Sequence, residues 1–242
     1  MDANSWLDAG LAFFYPNLCQ ICGSQRATAT QGYVCADCSN KVRFIQPPFC
    51  HRCGLPFEGD IHGAFECQNC KELELEFDAA RAAVVANGVV REILHRYKYR
   101  GELWFEPFLA QLLLTAAQPD LAAARPDFMI PVPLHAVKRR EREFNQAERL
   151  AARLSEATDI PVRLDLIERH EPTRTQTLLT REERRKNVNH AFRARPATPI
   201  KGARCVMIDD VLTTGATTSA CARILRSQGA KAVQVWTVAR GT

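Results

Sequence analysis

The C-terminal third of the chain carries the clearest hydrophobic pattern. Cys205, Val206, Met207 and Ile208 form an unbroken apolar run, the signature of a strand buried on both faces. An acidic pair follows (Asp209, Asp210), then a polar loop (Thr213, Thr214, Gly215, Ala216, Thr217). Next, Cys221, Ile224 and Leu225 recur at helical spacing up to Gly229, a residue suited to the left-handed turn past a helix end. Lys231–Arg240, with Val233, Val235 and Val238, reads as a second strand. Strand, crossover helix and strand predict a parallel pair with the acids at the carboxyl end of the first strand.

Upstream, the pattern predicts a strand over Ala82–Ala86 and a helix over Val90–Tyr97. A basic turn follows (Tyr97-Lys98-Tyr99-Arg100-Gly101-Glu102), then a long apolar helix over Trp104–Ala117 and a connector over Asp120–Pro126. A strand starts at Phe128 and gives way near Pro131, because proline interrupts a ladder. A cationic loop comes next, bearing Lys138, Arg139, Arg140 and Arg142. The helix Asn145–Ser155 then sets Ala147, Leu150, Ala151 and Leu154 on one face. Strands alternating with helices predict an α/β fold with a parallel sheet. Residues 169–190 are polar and densely charged, reading as a functional flap or an exposed helix over Arg181–Asn187, and Ala194–Pro199 reads as a connector. At the N-terminus, Trp6–Phe14 fits a short amphipathic helix stopped by Pro16, packed on its own protein or docked to a partner or a membrane.

With 242 residues, 46% of them hydrophobic, the chain can bury one main domain and carry a small one. A net charge of +5 tilts it toward anionic partners, but mildly, so phosphorylated small molecules suit it as well as nucleic acid does. Asp2 and Asp8 stand where a signal peptide needs positive charge, and no apolar run reaches the length of a membrane span. The expected location is the cytoplasm.

Of the ten cysteines, Cys205 and Cys221 sit in apolar contexts and read as core. The other eight form C-x-x-C pairs: Cys19/Cys22 with Cys35/Cys38, and Cys50/Cys53 with Cys67/Cys70. The first pair of each set is followed by glycine (Gly23, Gly54), which favours the tight turn that aims N–H groups at a thiolate. The repeat predicts two ribbons, each holding a structural Zn2+ with four thiolates and no open coordination position. Redox-active dithiols or another metal, and cross-braced pairing of the two sets, are the alternatives. His51 and His62 read as bystanders. The basic residues of this region are too sparse to mark a nucleic-acid surface.

Asp209 and Asp210 could accept hydrogen bonds from vicinal ribose hydroxyls, or hold Mg2+ through water. The threonine hydroxyls and N–H groups of the Thr213–Thr217 loop suit a terminal phosphate, and Gly215 lets the backbone approach it. A Walker-type NTPase is excluded because no glycine precedes a lysine, and the dinucleotide fingerprint G-x-G-x-x-G is missing.

The run from Val206 to Thr217 resembles the phosphoribosyl pyrophosphate (PRPP) motif of type I phosphoribosyltransferases. More narrowly, the chain resembles the ComF/GntX family of competence protein F-like proteins. Pro131-Val132-Pro133-Leu134 leading to Arg142-Glu143-Phe144-Asn145-Gln146 is similar to its second signature. Thr173, Gln176, Leu179, Arg184, Asn187, Val188, Ala191 and Phe192 are similar to its third, and the double ribbon is shared. One departure is Glu143, where the family usually has glycine.

The resemblance implies a type I phosphoribosyltransferase-like fold, a Rossmann-like parallel sheet flanked by helices. It spans 77–242, after an N-terminal helix at 1–18 and a double zinc ribbon at 19–72. It implies that Asp209 and Asp210 hold the PRPP ribose with Mg2+, and that the Thr213–Thr217 loop holds the 5-phosphate. The Lys138–Asn145 loop would serve pyrophosphate, and Gln176, Arg184 and Asn187 would belong to the flexible flap. It further implies a PRPP-binding, Mg2+-dependent transferase of unassigned acceptor, linked to DNA uptake, natural transformation or the use of external DNA. No general base stands out. Since fold does not guarantee transfer chemistry, two rivals stand beside it: a non-catalytic PRPP- or nucleotide-responsive accessory protein handling single-stranded DNA, and a zinc-ribbon adaptor for a protein partner.

Overall fold

The computed structural model describes residues 17–59, 65, 67–72, 74–171, 190–196 and 200–241. The predicted Trp6–Phe14 helix, His62, and Gln176, Arg184 and Asn187 of the flap lie outside the described residues. The strands are β1 (Ala79–Val85), β2 (Phe128–Pro131), β3 (Ile167–Arg169), β4 (Phe192–Ala194), β5 (Arg204–Leu212) and β6 (Ala232–Arg240). The helices are α1 (Ala36–Ser39), α2 (Gln68–Glu72), α3 (Gly88–Arg100), α4 (Glu106–Ala124), α5 (Ala136–Arg142), α6 (Gln146–Thr158) and α7 (Ala216–Ser227).

The central sheet runs β1-β6-β5-β2 and every pairing in it is parallel. Alternation along β5 divides the core into two layers. Val206 and Ile208 face α3, α4 and α6, together with Trp236 and Val238; Cys205 and Met207 face α7, together with Val233 and Val235. Cys205 and Cys221 are core residues, 2% and 0% exposed. Gly229, just beyond α7, takes φ +95°, the left-handed turn its position predicts.

Several elements differ from the sequence expectations. Helix α3 runs on to Arg100 and so takes in most of the expected basic turn Tyr97–Glu102. The segment Asp120–Pro126 is not a connector throughout, because α4 continues through Pro119 to Ala124. Leu109, Leu113, Ala117 and Leu121 form one buried ladder at i+4 spacing, and the burial of Leu121, about 1.5–3 kcal/mol, offsets most of the roughly 3 kcal/mol that an internal proline costs. The segment from Lys138 to Arg142 belongs to helix α5 instead of a loop, with the His135 ring accepting from the Val137 N–H at its start. The first strand begins at Ala79, not Ala82. The short antiparallel pair β3–β4, absent from the sequence reading, joins the two ends of the flap segment.

Both edges of the parallel sheet are covered. On β2, Met129 donates to the Pro161 carbonyl and accepts from the Arg163 N–H. On β1, the cysteine-rich segment supplies the partner. Ile45 donates to Ala83, Val85 to Arg43 and Ala80 to Arg52, at 2.8–3.0 Å. Gly54, at φ +67°, lies so close to this edge that a Cβ there would stand 2.7 Å from the Ala80 carbonyl oxygen. Gly54→Ala is therefore expected to lower the unfolding free energy by about 2 kcal/mol, from the left-handed backbone and the clash together. Chemical denaturation checks this, and an unchanged midpoint would contradict the docking.

Candidate ligand site and zinc centres

Asp209 and Asp210, expected just beyond a strand, both lie within β5, which runs on to Leu212. The strand is longer because β6 keeps pairing with it, through Val211 with Ala239 and Leu212 with Arg240. On the other side β2 stops at Pro131, opposite Ile208. The acids thus occupy a stretch of β5 that has a strand on one flank only, at the carboxyl end of the sheet. Being adjacent in a strand, they leave the backbone on opposite sides, yet at this open end their carboxylates stay close enough to interact directly.

Asp210 is 6% exposed and meets Lys98 of α3, with Nζ 2.9 Å from Oδ2. Burial opposes the Lys98 charge, but the Asp210 carboxylate outweighs it and holds the amine above its ordinary pKa. Asp209 is half-buried on the α7 side and accepts from the Asp210 N–H at 2.9 Å. Burial, and then the Asp210 charge, push its pKa up to about 7, with Lys98 opposing them. A carboxylate short of counter-charge beside a ligand-facing strand end suits hydroxyl donors or a hard divalent cation, for which an oxygen donor set is the right chemistry.

The loop after β5 leads into α7. Gly215 is the helix N-cap, at φ +87°, and the Thr214 hydroxyl accepts from the Ala216 N–H at 3.3 Å. Thr213 is exposed while Ala216 and Thr217 are half-buried. The first turn of α7 offers N–H groups that have no acceptor within the helix. Directly after the acids, the loop therefore offers donors of the kind an anion accepts.

Of the predicted cationic group, Arg139 is engaged by Glu148 through two contacts of 2.9 Å. Arg142 lies over the Tyr99 ring, 4.9 Å from its centroid. Lys138 is held below its ordinary pKa by burial and by the charges of Arg169 and Arg142; Arg140 is exposed. Asn145 is buried and caps α6, accepting from the Ala147 N–H at 3.0 Å and donating to the Val132 carbonyl at 3.1 Å. Its amide joins β2 to α6. Gln146 is 2% exposed and its amide nitrogen finds no acceptor among the described residues. Glu143 takes φ +66° after α5, the conformation that makes glycine the favoured residue there.

Lys98 is not among the expected site residues, and Arg169 is expected only as part of the charged flap 169–190. The signal was the basic turn at Tyr97–Glu102, whose lysine needs a carboxylate once buried. Arg169 sits in β3 and senses both Asp209 and Arg142 electrostatically.

In the ribbons, Cys19, Cys22, Cys35 and Cys38 form one cluster and Cys50, Cys53, Cys67 and Cys70 another, with all sulfurs of a cluster within 4.8 Å of one another. Pairing is therefore sequential, not cross-braced. Named separations of 3.4–3.7 Å agree with the roughly 3.8 Å between thiolates at 2.3 Å from a tetrahedral Zn2+. The donor set and spacing fit structural zinc at both. His51 is turned to the Phe65 carbonyl at 2.8 Å, outside the cluster.

Residues 10–71 match the family model described as a double zinc ribbon domain, and residues 144–242 match that of the phosphoribosyl transferase domain. The chain is 29% identical to "Competence protein F" of Haemophilus influenzae, over 94% of this chain and 98% of that one. It is 30% identical to "DNA utilization protein YhgH" of Escherichia coli K12, over 93% and 97%. Among solved structures it is similar to an orotate phosphoribosyltransferase from Aeropyrum pernix, at 22% identity, 64% and 67% coverage and a TM-score of 0.35. That overlap is partial.

The Asp209 environment sets a pH dependence. Its folded pKa lies above the unfolded value near 3.9, so the folded state holds the extra proton, and the stability this gives is lost as pH rises through about 7. Asp209→Asn, which keeps the acceptor for the Asp210 N–H, is expected to be more stable than the parent at pH 8 by about 1 kcal/mol or more. The gap should close toward pH 5. Denaturant melts at both pH values check this; a gap that does not change with pH would contradict it.

Proposed function

Because this chain belongs to the ComF family, combining a phosphoribosyltransferase-type domain with a double zinc ribbon, we propose that it binds PRPP together with Mg2+ at the carboxyl end of β5. The observation that carries this reading is the acid pair on the open stretch of β5, directly followed by the threonine-rich N-cap of α7. The Asp209 and Asp210 carboxylates accept from the ribose hydroxyls, and the Thr213–Thr217 loop takes the 5-phosphate.

Lys138 and Arg142, with Lys98 and Arg169 near them, supply the positive field for pyrophosphate, and we assign Gln176, Arg184 and Asn187 to the flexible flap. The orphaned Gln146 amide is a donor seeking an acceptor, of the kind pyrophosphate oxygens offer. Mg2+, when bound, would neutralise the departing pyrophosphate. The chain's own part is to orient the ribose, exclude water and stabilise charge while a nucleophile displaces pyrophosphate at the anomeric carbon. We assign no acceptor. We place the protein in the cytoplasm, where thiolate ligands stay reduced.

A second reading, a single-strand DNA accessory protein that senses PRPP, is favoured by one observation. Tyr99 is 64% exposed and backed by Arg142 beside the site, an aromatic–cation pair of the kind on which bases stack. The names of the relatives agree with a role in DNA use.

Titration calorimetry with PRPP and Mg2+ tests the first reading. Binding is expected in the parent and should vanish when Asp209→Asn and Asp210→Asn are combined, with zinc retained; no heat and no thermal stabilisation in the parent would refute it. In the same preparation, Tyr99→Ala should weaken salt-sensitive binding of single-stranded DNA if the second reading holds. Pyrophosphate release in the presence of nucleobases or amines separates a transferase from a sensor.

A further inference from the structure

Arg240 closes β6 and is 2% exposed. A buried guanidinium needs a full set of acceptors, and those it has join two distant parts of the chain. Its Nε donates to the Cys53 carbonyl at 3.2 Å, and its Nη2 lies 3.7 Å from the Cys53 sulfur. Its Nη1 donates to the carbonyls of Leu212, at 3.0 Å, and of Thr213 and Gly241. Cys53 belongs to the second cysteine cluster, whereas Leu212 ends β5 and Thr213 opens the loop after the acid pair.

Two further struts run the same way. Asn69, between Cys67 and Cys70, donates to the Thr214 carbonyl at 3.2 Å. The Ser219 hydroxyl of α7 accepts from the Glu76 N–H at 3.0 Å and donates to the Glu74 carbonyl at 3.3 Å. Beneath them Gly215 rests against Leu75 and Phe77, so closely that a Cβ would already touch both, at 3.4 Å.

A trans peptide is planar and its C=O and N–H point in opposite directions. When Arg240 draws in the Leu212 and Thr213 carbonyls and Asn69 draws in that of Thr214, the N–H groups of Thr213, Thr214 and Gly215 must turn the other way. Three successive N–H groups then line the side of the loop away from the ribbon, an anion-binding concavity.

Resting on the PRPP reading above, we propose that the second zinc ribbon is the scaffold of the phosphate loop, and that Arg240 is the positioning residue through which the Cys50–Cys70 cluster sets the loop's shape. Metal loading at this cluster thereby governs phosphate binding at the site. The first cluster packs elsewhere: Gly32 lies against Phe108 of α4, where a Cβ would stand 2.8 Å away.

The test uses the full chain as parent, Arg240→Lys and Asn69→Ala, the last in case the buried lysine fails to fold. Zinc content is measured first, then amide hydrogen exchange over residues 212–218 without ligand, then affinity for ribose 5-phosphate and, separately, for inorganic pyrophosphate. Both variants are expected to keep two zincs per chain, to exchange the loop amides about tenfold faster, and to bind ribose 5-phosphate about tenfold more weakly. Pyrophosphate affinity should move less than twofold. Parent-like exchange and parent-like ribose 5-phosphate affinity in a folded, zinc-loaded variant would overturn the proposal, and so would equal losses for both ligands. A parent that binds no ribose 5-phosphate overturns the PRPP reading, and the exchange data still decide whether the ribbon shapes the loop.

Discussion

A four-stranded parallel sheet leaves two edges of unpaired N–H and C=O groups, and burying such an edge without partners costs more than a domain's margin of stability allows. Here the segment carrying the two cysteine clusters lies along β1 and satisfies that edge, through Ala83, Val85 and Ala80. Segments as small as the ribbons hold no core without metal. The sheet edge therefore depends on thiolate clusters some tens of residues upstream, and the ribbons in turn depend on the sheet for a surface to pack against.

The same dependence extends to the candidate ligand site. The loop that follows the acids is held from beneath by groups on or beside the second cluster, Arg240 and Asn69 being the direct links. The acid pair is held from the other side, by Lys98 on α3. One carboxylate is neutralised and the other is left short of counter-charge, which readies the pair for a ligand with hydroxyls or a cation. Cations around Lys138 repel one another and so suit a polyanion. The electrostatics at this end of the sheet are unbalanced in the way a binding site is, whereas the Glu106 cluster with Arg149 and Arg153 is an internally satisfied network.

Much of this was legible in the sequence. Cysteine spacing specifies a zinc cluster because coordination geometry tolerates little variation, and the run from Cys205 to Arg240 reads as strand–helix–strand because a strand buried on both faces admits few polar residues. The failures have physical causes. Helix α5 buries no side chain, so there was no apolar stripe to detect. In α4, Pro119 masked a ladder that Leu121 completes. Asp209 and Asp210 are poor strand formers, and they remain in β5 only because β6 continues to pair beside them. Lys98 stood in an expected basic turn and Arg240 at the end of an expected strand, so neither was marked as needing a buried partner. The partner itself was not visible either, since Arg240 and Cys53 stand 187 residues apart.

The central claim is that zinc ribbons and sheet form one cooperative unit, and following metal release during denaturant unfolding tests it most directly. Zinc freed into solution is monitored with a chromophoric indicator while circular dichroism follows the sheet and helices. The structure predicts a single transition in which both signals share one midpoint, because loss of metal uncovers β1 and releases the loop at Thr213. Complete zinc release at low denaturant, with the secondary structure intact and unfolding only in a later transition, would contradict it.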